Sequence, residues 1–273
     1  MTGLEDDRPT VTVGIPFHAG IKAEHFRQAV ESILSQSLLP QQVHLIQDGP
    51  VPEELAALAR SYAADYHFVQ HLVIPVNSGL PYALNRSILL TATRYYARMD
   101  ADDICHPERL KKQVSYLEQH SEIEILGTWA LEFKRDPGGE VGVLKKMPLD
   151  RAGIESFFHY RDPFVHPSVM FRREVFARIG LYDARFRTNQ DTELWARALK
   201  FKVGVANLPE ALLYFRAEGV VRKRANLDSV VRLVKARYRY NTWSLKYNFL
   251  KVISLLFRLL PSRMQEWGYR NLR

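Results

Sequence analysis

Over its first hundred residues the chain alternates between two hydrophobic periods, and this alternation constrains the fold more than any other feature. Val11 to Ile15 reads as a strand that is cut by Pro16. Phe26, Val30, Ile33 and Leu34 then recur at helical spacing, and Val43 to Ile46 is extended up to the Asp48-Gly49-Pro50 turn. Pro52 to Tyr66 reads as a helix, His67 to Ile74 as a strand, Leu80 to Thr93 as a helix and Tyr95 to Met99 as a fourth strand. Strands separated by helices of this length are joined by crossovers. The expectation is therefore an α/β fold, a Rossmann-like and mostly parallel sheet flanked by helices.

Such a sheet binds ligands in the crevice beyond the carboxyl ends of its strands. The polar clusters fall there: Pro16-Phe17-His18, Asp48-Gly49, Asn77-Ser78-Gly79 and Asp100-Ala101-Asp102-Asp103 each follow a predicted strand. After residue 120 the alternation lapses. Residues 123–133 and 141–147 read as strands around the Pro137-Gly138-Gly139 turn, 150–160 as a helix, 165–171 as extended and 189–201 as a helix. With 273 residues, 47% of them hydrophobic, the chain can bury a substantial core, which excludes a disordered or disulfide-built protein. Cys105 is the single cysteine and the first ten residues lack an apolar leader core, so a cytoplasmic setting is expected.

Asp100, Asp102 and Asp103 place three carboxylates within four residues. Like charges this close repel unless a cation neutralises them or one keeps its proton. Hard oxygen donors suit Mn²⁺ or Mg²⁺, and such ions commonly sit between carboxylates and substrate phosphates. A solvated acidic turn that caps the next helix would look the same from spacing alone.

The chain from 10 to 220 carries a longer set of signals. These are Val11-Thr12-Val13-Gly14-Ile15-Pro16, Gln47-Asp48-Gly49, Asn77-x-Gly79 with Ala83-Leu84-Asn85, and Asp100-x-Asp102-Asp103 followed by Pro107-x-Arg109-Leu110. His166-Pro167-Ser168 and Gln190-Asp191 with Glu193-Leu194-Trp195 come later. In this order and spacing they resemble glycosyltransferase family 2, inverting nucleotide-sugar enzymes of the GT-A fold. The resemblance implies a UDP-sugar donor, a divalent cofactor (Mn²⁺ or Mg²⁺) and a saccharide acceptor. It places Asp48 on the uracil N3–H, with Pro16, His18 and Asn77 around the donor, Asp100 on the ribose and Asp102 on the metal. Arg86 would reach the phosphates or ribose. Asp191 would be the catalytic base, in a motif that usually begins Glu-Asp and here begins with Gln190. His166 and Trp195 would stand on the acceptor side. Bland readings accompany these roles: a turn residue for Asp48, a helix N-terminal carboxylate for Asp191, a helix cap for Asp103, a surface arginine for Arg86 and a core indole for Trp195. One departure stands out. In Tyr214-Phe215-Arg216-Ala217-Glu218-Gly219, Glu218 lies where family members often have a metal-binding histidine.

Charge divides the chain. Residues 222–273 carry 13 Lys/Arg against two acids, whereas residues 1–221 carry 25 against 28. The expected organisation is a GT-A domain over 1–221, with a nucleotide-sugar half at about 10–105 and an acceptor half at about 106–221, followed by a basic amphipathic helical tail over 222–273. Residues 226–260 read as helical, and the apolar run from Phe249 is too short and too charged to span a bilayer. The tail is expected to bring the protein to an anionic membrane surface at the cytoplasmic face, where a lipid-linked oligosaccharide acceptor for surface polysaccharide would lie. Packing of the tail on the catalytic domain is the alternative. Arg237-Tyr238-Arg239-Tyr240-x-Thr242-Trp243 also has the interleaving of a single-strand nucleic-acid surface, but that reading leaves the ordered motifs unexplained, so no specific nucleic-acid partner is expected. A nucleotidyltransferase would share the acids, but the Gly-rich phosphate loop it needs near the N-terminus is absent.

Overall fold

The computed structural model describes residues 10–133, 142–217, 227–258 and 264. Its core is a sheet in which β1 (Val11–Phe17), β2 (Gln42–Asp48), β3 (Val69–Ile74) and β4 (Tyr95–Arg98) run parallel in the order β3-β2-β1-β4. All seven residues of β1 are buried, as a central strand covered on both faces requires. Val11, Val13, Ile15 and Phe17 pack with α1 (Ala23–Leu34) and α2 (Glu53–Asp65) on one side. On the other side α3 (Leu80–Leu90) approaches β1 so closely that a Cβ on Gly14 would lie 2.9 Å from Ser87 Oγ of α3, and 2.0 Å from the Tyr96 hydroxyl of β4. Pro16 does not cut the strand as expected. Pairing with β4 ends at Gly14, so beyond it β1 is flanked by β2 alone, where proline is tolerated.

Past β4 the sheet turns mixed. β5 (Ile104–Cys105) and α4 (Arg109–Gln119) lead to β6 (Ile125–Phe133), β7 (Val143–Lys145), α5 (Arg151–Phe158), β8 (Met170–Arg172) and α6 (Val175–Ile179). Then come α7 (Gln190–Lys200) and β9 (Val205–Arg216), completing the order β3-β2-β1-β4-β8-β6-β9-β5 with β7 beside β6. The stretch expected to be extended over 165–171 instead makes a turn of 3-10 helix at His166–Ser168, with Pro167 inside it, before β8 begins. β9 is a twelve-residue strand that the sequence reading did not anticipate. The expected Pro137-Gly138-Gly139 turn lies outside the described residues.

The tail was expected as one helical stretch and is two helices, α8 (Leu227–Arg237) and α9 (Leu245–Phe257), broken where Ser244 caps the second. They pack on the catalytic body. Arg237 is buried, donating to His159 O at 3.3 Å and Ser254 Oγ at 2.9 Å. Lys251 is buried too, its Nζ donating to the carbonyls of Arg237 and Tyr240 and to Asn241 Oδ1. These cations therefore serve the fold and not a membrane. Internal contacts take up much of the interleaved nucleic-acid pattern, since Arg237 is buried, Tyr240 stacks on His159 and Arg239 is ion-paired.

Buried histidine makes the fold acid-sensitive. His44 on β2 is fully buried, with Nδ1 at 2.9 Å from Ser87 Oγ, and burial pulls its imidazole down to about 4. In the unfolded chain it titrates near 6.5, so between those values the unfolded state binds a proton that the folded state refuses. Stability present above pH 6.5 is thus expected to fall as pH drops toward 4, by up to about 3 kcal/mol from this residue. Urea titrations at pH 7 and pH 5 compared with His44→Gln check this; an equal pH slope in the variant refutes it.

Candidate active site

β4 ends at the acid turn. Arg98, its last residue, is buried and donates from Nη2 to Asp100 Oδ1, while its Nε and Nη1 have no hydrogen-bond partner among the described residues. Carboxylate oxygens of Asp100, Asp102 and Asp103 lie within 4.8 Å of one another. Burial, with the charge of Asp100, pushes Asp102 up to about 6, and burial beside both neighbours pushes Asp103 well above the usual carboxylate range. Asp103 Oδ2 is buried without a hydrogen-bond partner among the described residues. An all-carboxylate cluster with such crowding, and with a buried oxygen left unmatched, fits a hard divalent cation.

Asp103 does not cap the following helix. Its Oδ1 accepts the Arg216 N–H at 2.9 Å, and the cap position of α4 belongs to Glu108 without a side-chain bond. Arg216 closes β9 and clasps the acid turn further through Nε to Asp102 O at 2.8 Å. Glu218, considered for the metal, lies outside the described residues.

Asp48 ends β2 beside this turn's strand neighbours and is nearly buried. Its two oxygens accept the backbone N–H groups of Ser78 (2.7 Å) and Gly79 (2.8 Å), and Asn77 Nδ2 donates to the Asp48 carbonyl at 3.1 Å. Gly79 sits at φ 89°, a left-handed conformation that L side chains rarely adopt, and so turns its N–H into the carboxylate. Each carboxylate oxygen keeps a second lone pair. Pro16 is buried in β1, and His18 is exposed with Nδ1 accepting Gly20 N–H. Arg86 is exposed on α3, and among the described residues no hydrogen bond or ion pair joins it to the acids.

The second cluster lies at the N-terminus of α7. Asp191, in the first turn, lines a cleft of about 270 Å³ with Asp162, Arg187, Thr188, Asn189, Gln190, Ser229 and Arg258. His166 lies behind it, with Nδ1 at 4.0 Å from Asp191 Oδ2 and Nε2 at 2.8 Å from the Tyr182 hydroxyl. Burial, with Arg98 adding to it, holds His166 well below its usual range, so the ring is neutral. Burial likewise raises Tyr182, on which the fields of Arg98 and Asp191 also act. Arg98 thus stands between the acid turn and the His166–Tyr182 pair. Trp195 does not face an acceptor. It is fully buried among Phe164, Phe171 and His166. One turn from Asp191 along α7, the indole still points inward because the helix buries that face. Glu193, also fully buried, binds Arg197 within α7 and Arg239 from the tail, the latter at 2.6 Å.

The family model described as glycosyl transferase family 2 matches residues 12–180. The chain belongs to this family. The amylovoran biosynthesis glycosyltransferase AmsE of Erwinia amylovora is 33% identical over 257 residues, covering 92% of this chain and 94% of the relative. An Escherichia coli protein named UDP-Gal:alpha-D-GlcNAc-diphosphoundecaprenol beta-1,3-galactosyltransferase is 26% identical over 98% of both chains. Among solved structures, S. aureus TarS 1–349 in complex with UDP superposes with a TM-score of 0.67 at 14% identity, covering 96% of this chain and 75% of that one. This likeness shows the GT-A fold. The protein is a glycosyltransferase.

In this family 2 enzyme the sequence reading brought out the acids but missed Arg98, Tyr182 and Arg216. Arg98 directly precedes Met99-Asp100, a signal hidden because the residue falls inside a strand. Arg216 lay in the very stretch where Glu218 drew attention.

Proposed function

We infer that this glycosyltransferase is an inverting, metal-dependent enzyme that moves a sugar from a UDP-linked donor to a lipid-linked saccharide during surface polysaccharide assembly. The observation that carries the reading is the crowding of Asp100, Asp102 and Asp103 at the end of β4, with a buried oxygen unmatched. The UDP complex of a fold neighbour and the diphosphoundecaprenol acceptor in a relative's name support the choice of substrates.

Asp102, with Asp100, would hold Mg²⁺ or Mn²⁺, which would neutralise charge on the departing diphosphate. Arg98 fixes Asp100 and supplies a nearby positive charge. Asp48 accepts the uracil N3–H on a lone pair left by Ser78 and Gly79, while cytosine offers an acceptor there and is refused. Asp191 takes the proton from the acceptor hydroxyl as that oxygen attacks the anomeric carbon, a single displacement with one base. The neutral His166 ring turns its Nδ1–H toward Asp191 while Nε2 accepts the Tyr182 proton, which orients the base. A panel of UDP-, GDP- and dTDP-sugars, with Mn²⁺ or EDTA, tests the proposal by release of free nucleoside diphosphate. No metal-dependent release from any donor sinks it.

The membrane reading gains a physical basis from α9, although no helix among the described residues is long and apolar enough to cross a bilayer. Leu245, Phe249, Val252 and Leu256 share one face and are exposed, and Trp243 beside them is fully so, whereas Lys251 and Leu255 face inward. The helix presents apolar side chains outward, where a helix facing water would be polar, and Lys246 adds charge for anionic headgroups. Phe249→Ser with Leu256→Ser is expected to weaken binding to phosphatidylglycerol vesicles by at least about tenfold without lowering thermal stability, since each apolar side chain contributes ~1.5–3 kcal/mol on burial. Unchanged vesicle binding refutes the surface.

A further inference from the structure

Next to the Asp191 cleft is a second one of about 430 Å³, lined by Arg185, Phe186, Arg232, Lys235, Tyr238 and Arg239. Four cations and two aromatic rings converge there, with no carboxylate in the lining. Asp183 binds Arg185 at 2.9 and 2.8 Å and Arg239 at 3.3 Å, and Glu193 takes the other arm of Arg239. Among the described residues neither Arg232 nor Lys235 has a carboxylate partner; Arg232 Nε donates to Thr188 Oγ1 at 3.0 Å. The cleft therefore keeps a positive surplus next to an apolar wall, with Arg239 lying over the Phe186 ring at 5.3 Å.

The two clefts share a partition. Arg185 and Phe186 face one and residues 187–191 the other, while α8 gives Ser229 to one and Arg232 and Lys235 to the other. Thr188 and Asn189 tie the loop to α8 through Arg232 and the Ser229 carbonyl. An acceptor whose hydroxyl lies at Asp191 thus has a cationic site within one loop's width.

We propose that this cleft binds the diphosphate of a lipid-linked acceptor, the guanidinium and ammonium groups taking the phosphate oxygens while Phe186 and Tyr238 flank the first carbons of the lipid. The assignment rests on the glycosyltransferase reading of Asp191 and locates the diphosphate end of the acceptor proposed there.

The test is direct binding of farnesyl diphosphate to the full chain in EDTA, with farnesol and inorganic pyrophosphate as comparison arms. Lys235→Ala and Arg232→Ala are each expected to weaken farnesyl diphosphate binding by about tenfold or more, with Asp102→Ala leaving it unchanged. Lys235 is exposed, so its variant carries no folding penalty. Equal affinity in both cleft variants overturns the proposal, as does tighter binding in Asp102→Ala, because without metal only a diphosphate in the donor site would feel the removal of that negative charge. Farnesol binding as tightly overturns the charge reading, and pyrophosphate binding as tightly overturns the lipid-linked source. Failure here leaves donor-dependent release of nucleoside diphosphate intact, whereas failure of the glycosyltransferase reading removes that release whatever the cleft binds.

Discussion

Asp191→Asn is expected to lower sugar transfer by about 10²–10⁴-fold while UDP-sugar affinity stays within about twofold, because only the proton acceptor is lost. The change is nearly isosteric and keeps the side chain in the first turn of α7, at a cost of only ~0.3–1 kcal/mol in helix-terminus electrostatics. A loss confined to kcat, read by nucleoside diphosphate release with acceptor present, supports the base. Transfer at the wild-type rate removes it. His166→Phe separates positioning from chemistry: it keeps the buried ring but withdraws the N–H that faces Asp191, so kcat should fall by a smaller factor than in Asp191→Asn.

Asp102→Ala carries two opposite signatures. Metal-dependent UDP binding is expected to weaken by about a hundredfold or more if Asp102 holds the ion, as proposed. In EDTA the same variant should be more stable than the parent at pH 7. The sign follows from Asp102 itself: its carboxyl titrates near 3.8 unfolded and is pushed up to about 6 when folded. Between these values the folded chain holds a proton that the unfolded chain releases, so stability drops as pH rises through the window. Removing the acid removes that penalty, on the order of 1–2 kcal/mol after solvent screening, or a few degrees in melting temperature. Calorimetry with EDTA and again with Mn²⁺ reads both effects. A variant that melts below the parent in EDTA would show that Asp102 braces the fold.

The parts of this molecule that periodicity describes were legible in the sequence. β1 to β4 and α1 to α3 fall within a few residues of the apolar runs that announced them, because the buried positions of a central sheet and of its flanking helices must be apolar. β9 escaped because Pro209 and Glu210 interrupt its apolar pattern, and its pairing with β6 shifts register around Thr128 to Ala130. The acids of the site could be picked out because they follow a strand within a longer ordered set of motifs; their spacing alone would equally have suited an acidic turn. Their supporting residues could not. Arg98, Tyr182 and Arg216 sit far apart in the chain and meet only through the crossing of β4, β9 and the loop before α7. Trp195 misled for a related reason: spacing places a residue on a helix face but does not say which face is covered.

Arg239 reaches across from the tail to a buried carboxylate two positions beyond Asp191. The acceptor half and the terminal helices are thereby one mechanical piece, so exchanging tails between relatives would have to carry over the arginine–glutamate match as well. A chimera that ignored it would shift the start of α7, where Asp191 sits, whereas the half built on β1 to β4 could be traded with far less disturbance.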